Sequence, residues 1–109
     1  MDQIRQGDVY LIPVVAIPAT ATPVAREAGR LILAHGEVTG HAHAILAPDA
    51  ELLTTPGATA ELVDRYLRVR STATVVHEEH APLTVAPGTY RVVIHEEWTD
   101  QDESRAVLD

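Results

Sequence analysis

Runs of Val, Ile and Thr, punctuated by Pro and Gly, set the fold class of this 109-residue chain. Val and Ile number 19 and Thr 11, and they cluster in stretches of a few residues that end at turn-forming dipeptides. Two heavy branches on Cβ stiffen χ1, disfavour helix and suit a pleated surface, so short β-branched runs between Pro and Gly read as strands of an all-β domain. The predicted strands are Val9–Ile12, Arg30–Ala34, His41–Leu46, Glu51–Thr54, Tyr66–Arg70, Ala73–His77, Leu83–Val85 and Thr89–Glu97. The first closes at Pro13 and is expected at a sheet edge, because proline cannot donate to a ladder. Residues 14–29 carry Pro18 and Pro23 and read as a long surface loop, and residues 58–64 hold the one helical candidate.

Strands of this number and spacing predict one domain over residues 1–109, built as a small barrel or a two-sheet sandwich. Tyr66 to Arg70 alternates, with Leu67 and Val69 on one face and Tyr66, Arg68 and Arg70 on the other, as in a half-exposed strand. With no Phe, the core has to be aliphatic, and the same phase argument assigns it Val9, Leu11, Leu31, Leu33, Ile45, Leu67, Val69, Val75 and Val92. Val75-Val76-His77-Glu78-Glu79 and Val93-Ile94-His95-Glu96-Glu97 form a near-repeat, and the turn at Pro87-Gly88 would let the two copies lie side by side and antiparallel.

Charge and composition narrow the function classes. Eight Arg and no Lys face sixteen acids for a net charge of -8, which repels phosphate backbones and anionic membranes, so no nucleic-acid or membrane partner is expected. The absence of Cys removes disulfides, thiolate ligands and thiol nucleophiles. The opening residues lack a signal-peptide pattern and no apolar run is long enough to span a bilayer, which predicts a cytoplasmic protein. Abundant Ala, Val and Arg without Lys or Asn point to a GC-rich bacterial source. Many strands around a modest core leave edges to cover, so a homodimer is expected.

Six histidines carry the chemistry, and four of them fall in two tight groups. His41 and His43 are two apart, so in a strand they share a face and offer two imidazoles to a divalent metal. In His77-Glu78-Glu79-His80, extended geometry puts His77 and His80 on opposite faces, so one of them completes a three-histidine set unless a bulge realigns the pair. Gly40 permits a bulge or close backbone approach beside the site. Glu79 or Glu37 is the candidate general base or fourth ligand. Taken alone, a His-x-His in a strand is explained by hydrogen bonding or exposure; the second cluster brings the metal reading level with that one. His35 and His95 read as surface or structural residues, and Tyr66, Arg68 and Arg70 as a charged solvent face.

The segment Gly36-Glu37-Val38-Thr39-Gly40-His41-Ala42-His43, with His77-Glu78-Glu79-His80-Ala81-Pro82 and Ala86-Pro87-Gly88-Thr89-Tyr90, resembles a small uncharacterised bacterial family and, more distantly, the cupin barrels. His41 and His43 match the His-x-His of the first cupin metal motif, and Pro87-Gly88 resembles the turn of the second. Four residues rather than five separate Gly36 from His41, no acid follows His43 at the cupin spacing, and His95 lies too far beyond Gly88. The resemblance implies a β-barrel with a metal and no particular reaction.

Two functions from different classes follow. One is a metalloprotein holding Zn, Fe, Ni or Mn on His41, His43 and His77 or His80, with room for a small-molecule substrate and an enzymatic role. The other is a non-enzymatic module whose histidines are structural and whose acidic surface meets a protein partner. The metal reading requires the ring nitrogens to converge on a common point about 2.0–2.2 Å from each.

Overall fold

A computed structural model describes residues 3–35, 40–56 and 64–94. Among these residues the chain is all β, with no helix, and forms two antiparallel sheets. Strands β1 (Ile4–Gln6), β2 (Val9–Pro13), β3 (Thr22–Pro23), β6 (Ala50–Thr54), β7 (Arg65–Val69) and β10 (Gly88–Ile94) make a six-stranded sheet in the order β1-β2-β10-β7-β6-β3. Strands β4 (Leu31–His35), β5 (Ala42–Ile45), β8 (Ala73–Val76) and β9 (Leu83–Val85) make the second, in the order β4-β5-β8-β9. Of the two architectures the sequence leaves open, the chain forms the sandwich and not a closed barrel.

One cluster of buried side chains fills the space between the sheets. All nine residues expected in the core belong to it, together with Ala34, Ala50, Leu52, Ala73, Val85 and Tyr90. Alternation is clean where one face meets solvent: β8 reads buried, exposed, buried, exposed along Ala73–Val76. The Tyr90 ring is buried, and its hydroxyl donates to the Ala86 carbonyl at 2.6 Å, which satisfies its polar end. Hydrogen bonds also cross between the sheets. The Arg65 guanidinium on β7 donates to the Leu33 carbonyl on β4, and the Gln6 amide on β1 donates to the Val75 carbonyl on β8 at 3.0 Å.

Several local expectations are corrected. Strand β2 is not an edge; it lies between β1 and β10, and Pro13 ends it opposite Tyr90, where its missing N–H costs least. Among the described residues the near-repeat copies do not pair, because Val75 and Val76 lie on β8, which joins β5 and β9, while Val93 and Ile94 lie on β10, which joins β2 and β7 in the other sheet. Ala86-Pro87 is thus a corner at which the chain changes sheets, not a hairpin turn. The loop over residues 14–29 contains β3, pinned on β6, and a tight turn in which Glu27 and Arg30 exchange both backbone hydrogen bonds at 2.9 and 3.0 Å. Positive φ at Ala28 and Gly29 gives that turn the type I′ form. The helical candidate over residues 58–64 lies outside the described residues except for Asp64, as does the stretch from His95 onward. No helix among the described residues is long and apolar enough to cross a membrane.

Candidate functional site

The cluster of histidines follows from strand register. Strands β5 and β8 pair Ile45 with Val75 and Ala44 with Val76, and continuing that register sets His43 opposite His77 and Ala42 opposite Glu78. The ladder stops at Val76, and the chain bends through residues 78–80. In place of the lost ladder bond, the Ala42 N–H donates to Glu78 Oε1 at 3.0 Å. The bend does what an extended strand cannot, and brings His77 and His80 to one side. Ring centroids lie 4.3 Å apart for His43 and His77, 4.7 Å for His77 and His80, and 5.7 Å for His43 and His80. Both His77 and His80 therefore lie beside His43.

His41 sits to one side. It precedes β5, touches the ring of His77 edge-on at 5.9 Å, and has its Nδ1 3.4 Å from Glu79 Oε2. That nitrogen is buried with no hydrogen-bond partner among the described residues. Gly40 enters the strand with φ near +88°, a left-handed conformation that glycine adopts without a Cβ penalty, and that conformation, not a close approach, is its role, because a Cβ there would meet nothing within 4 Å. The bulge next to the site lies instead on β4, where the register with β5 shifts between Ile32 and Ala34. His35 stands apart at the exposed end of β4, 3.7 Å from Glu27. Glu37 and His95 lie outside the described residues.

Two residues that sequence reasoning passed over build the other wall. Gln6, 5% exposed, accepts from His43 Nδ1 at 2.8 Å and donates from its amide nitrogen to the Val75 and Ala81 carbonyls at 3.0 and 2.9 Å. Gly7, in the β1–β2 turn with φ near +56°, lies so close to His80 that an added Cβ would sit 2.7 Å from its Nε2. The hairpin of the six-stranded sheet is thus packed on the histidine loop of the four-stranded one. No sequence pattern marks Gln6, since β1 is only three residues long, although a buried amide there does need partners.

The electrostatics keep a proton off His43. Burial holds the pKa of His43 down to about 4 from an ordinary 6.5, and the neighbouring His77 and His80 push it the same way, while Asp8 and Glu78 oppose it weakly. His43 is therefore a neutral base at pH 7. The Ala42 N–H holds the Glu78 carboxyl below its usual range, so it stays ionised beside the rings. Two imidazoles on one zinc ion, with Zn–N near 2.1 Å, have centroids roughly 5 Å apart, and the three separations bracket that value.

The orientation is another matter. Among the described residues no three His, Asp or Glu side chains form a ready metal sphere, so the required convergence on one point is not met as the rings stand. One physical reason is visible at His77, whose Nδ1 accepts from the Glu79 N–H at 2.9 Å and so has its lone pair in use. The His43 and His80 rings lie nearly parallel, at 21°, and do not aim at a shared centre.

The comparison with known families is decided by one match, in which the model of a domain of unknown function, DUF8820, covers residues 5–95. The chain belongs to the DUF8820 family. That span contains β1 through β10 apart from Ile4, and all four clustered histidines, so the site lies within the family's domain and not in an appendage. Neither the curated proteins nor the solved structures contain a match to this DUF8820 chain.

Proposed function

We propose that this DUF8820 protein binds a divalent transition-metal ion through His43, His77 and His80, with His41 and Glu79 flanking it. The observation that carries the reading is His43 itself: a buried, neutral imidazole whose Nδ1 is engaged by Gln6, 4.3 and 5.7 Å by centroid from two further imidazoles. Burying one histidine in an aliphatic sandwich costs desolvation, and setting two more against it adds repulsion whenever they are protonated. A shared cation turns that arrangement into an attractive one. Imidazole donors suit Zn, Fe and Ni over Mg or Ca, and Mn is the weakest binder of the series.

The lone pair that His77 gives to the Glu79 N–H is recoverable, because it lies in a bend and not in a ladder. Turning that one ring frees a ligand. The His41 Nδ1, buried with no hydrogen-bond partner among the described residues, lies 3.4 Å from Glu79 at the edge of the site, where a bound cation would supply Lewis acidity to a small-molecule substrate. Among the described residues β1 and β3 end one sheet and β4 and β9 the other, and such edges suit pairing of two copies; light scattering at micromolar concentration should give the dimer mass, and a monomer mass contradicts it.

Calorimetric titration of untagged, chelator-treated protein with zinc at pH 7.5 tests the metal reading. Near-stoichiometric binding is expected, lost in His43→Ala and His77→Ala and unchanged in His35→Ala. Heats that are flat in the wild type, or equal in all four proteins, would defeat the proposal.

A further inference from the structure

Gln6 has every polar group in use, and the pattern leaves no freedom in how its amide is turned. Both of its N–H groups face carbonyl oxygens, of Val75 at 3.0 Å and Ala81 at 2.9 Å, so the flipped amide would set oxygen against two oxygens. Its Oε1 must then be the atom 2.8 Å from His43 Nδ1. A carbonyl oxygen only accepts, so the proton of this buried contact sits on Nδ1. In a neutral imidazole the lone pair is then at Nε2.

We propose that Gln6 is a positioning residue that holds His43 in the Nδ1–H tautomer and so presents Nε2 as an open lone pair to a divalent cation such as Zn2+. The cation half of this statement rests on the metal reading above. Gln6 also acts on the other two rings. Val75 lies two residues before His77 and Ala81 directly follows His80, so the same amide ties down both ends of the segment that carries them. A single side chain on the opposite sheet therefore sets the tautomer of one imidazole and the span of the loop bearing its neighbours. Outer hydrogen bonds of this kind orient metal-binding histidines, and losing them typically costs about 10–100-fold in affinity.

The test is long-range proton–nitrogen correlation of the imidazoles in the 15N-labelled, metal-free full chain at pH 7.5, followed by zinc titration. His43 is assigned by comparison with His43→Gln. The wild type should show His43 as Nδ1–H. Gln6→Glu, which can still accept from Nδ1 but cannot donate to Val75 or Ala81, should keep that tautomer. Gln6→Met, which can do neither, should show a mixture and bind zinc about 10–100-fold more weakly. An Nε2–H ring in the wild type or in Gln6→Glu, or an unchanged Nδ1–H ring in Gln6→Met, would overturn the role of Gln6. Should Gln6→Met fail to fold, the wild type and Gln6→Glu still decide the question. An Nδ1–H ring without zinc binding in the wild type overturns the metal reading and leaves the hold of Gln6 on His43 standing.

Discussion

His43 shows how far one buried side chain sets the behaviour of this protein with pH. Unfolded, its ring takes a proton near the ordinary 6.5; folded, burial delays that to about 4. Between those values the unfolded chain binds more protons, so stability rises with pH across the window and is lost as pH falls from 6.5 toward 4. Denaturant melts at pH 7.5 and 5 should differ by at most about 2 kcal/mol from this source, with the lower value at pH 5. His43→Gln should flatten the difference; an equal difference in that variant would show that another group is responsible. The residue itself was legible in sequence, since two histidines two apart in a strand share a face. Its partner Gln6 was not, because one glutamine in a three-residue strand carries no periodicity, and its hydrogen bonds go to residues 37 to 75 positions away.

The element that matters most is the bend after β8. Sequence reasoning treats His77-Glu78-Glu79-His80 as extended and splits the two histidines between faces; the chain instead leaves the ladder at Val76, and both rings come to His43. That departure has no signature in hydropathy, as every residue in the stretch is polar. Strand β7 was legible because Leu67 and Val69 are buried beneath half-buried Tyr66 and Arg68, whereas β5 hides its phase, all four residues from Ala42 to Ile45 being buried. The Glu79 N–H bond to His77 Nδ1 would make the bend report ligation by that ring. If zinc takes that lone pair, the Glu79 amide loses its acceptor, and its proton resonance should shift and exchange faster with solvent. An unmoved Glu79 amide at zinc saturation would mean that His77 keeps its backbone partner and does not bind through Nδ1.

At the scale of the whole molecule the site exists because two sheets face each other. Histidines from the four-stranded sheet and its loop meet Gln6 and Gly7 from the first hairpin of the six-stranded one, and the Arg65 bond to Leu33 ties the sheets again. The aliphatic part of the core follows from local alternation and was readable, whereas Tyr90, buried within it, was not among the residues expected there. The assignment of strands to sheets was not, since Pro87 turns the chain between layers and the near-repeat on either side of it suggested a pairing that the described residues do not make. A ligand held only when both layers are in place must stabilise the fold as a unit. Zinc at about 100 times its dissociation constant should therefore add roughly 2.7 kcal/mol to unfolding, read as a rise in melting temperature that His43→Ala abolishes. The central claim is that three imidazoles of this sandwich share one cation, and X-ray absorption of the zinc-loaded protein measures that directly. The account predicts nitrogen scatterers at about 2.0–2.1 Å with the outer-shell pattern of three imidazoles, one of which is lost in His80→Ala. A shell of oxygen alone, or an imidazole count unchanged in that variant, would contradict it.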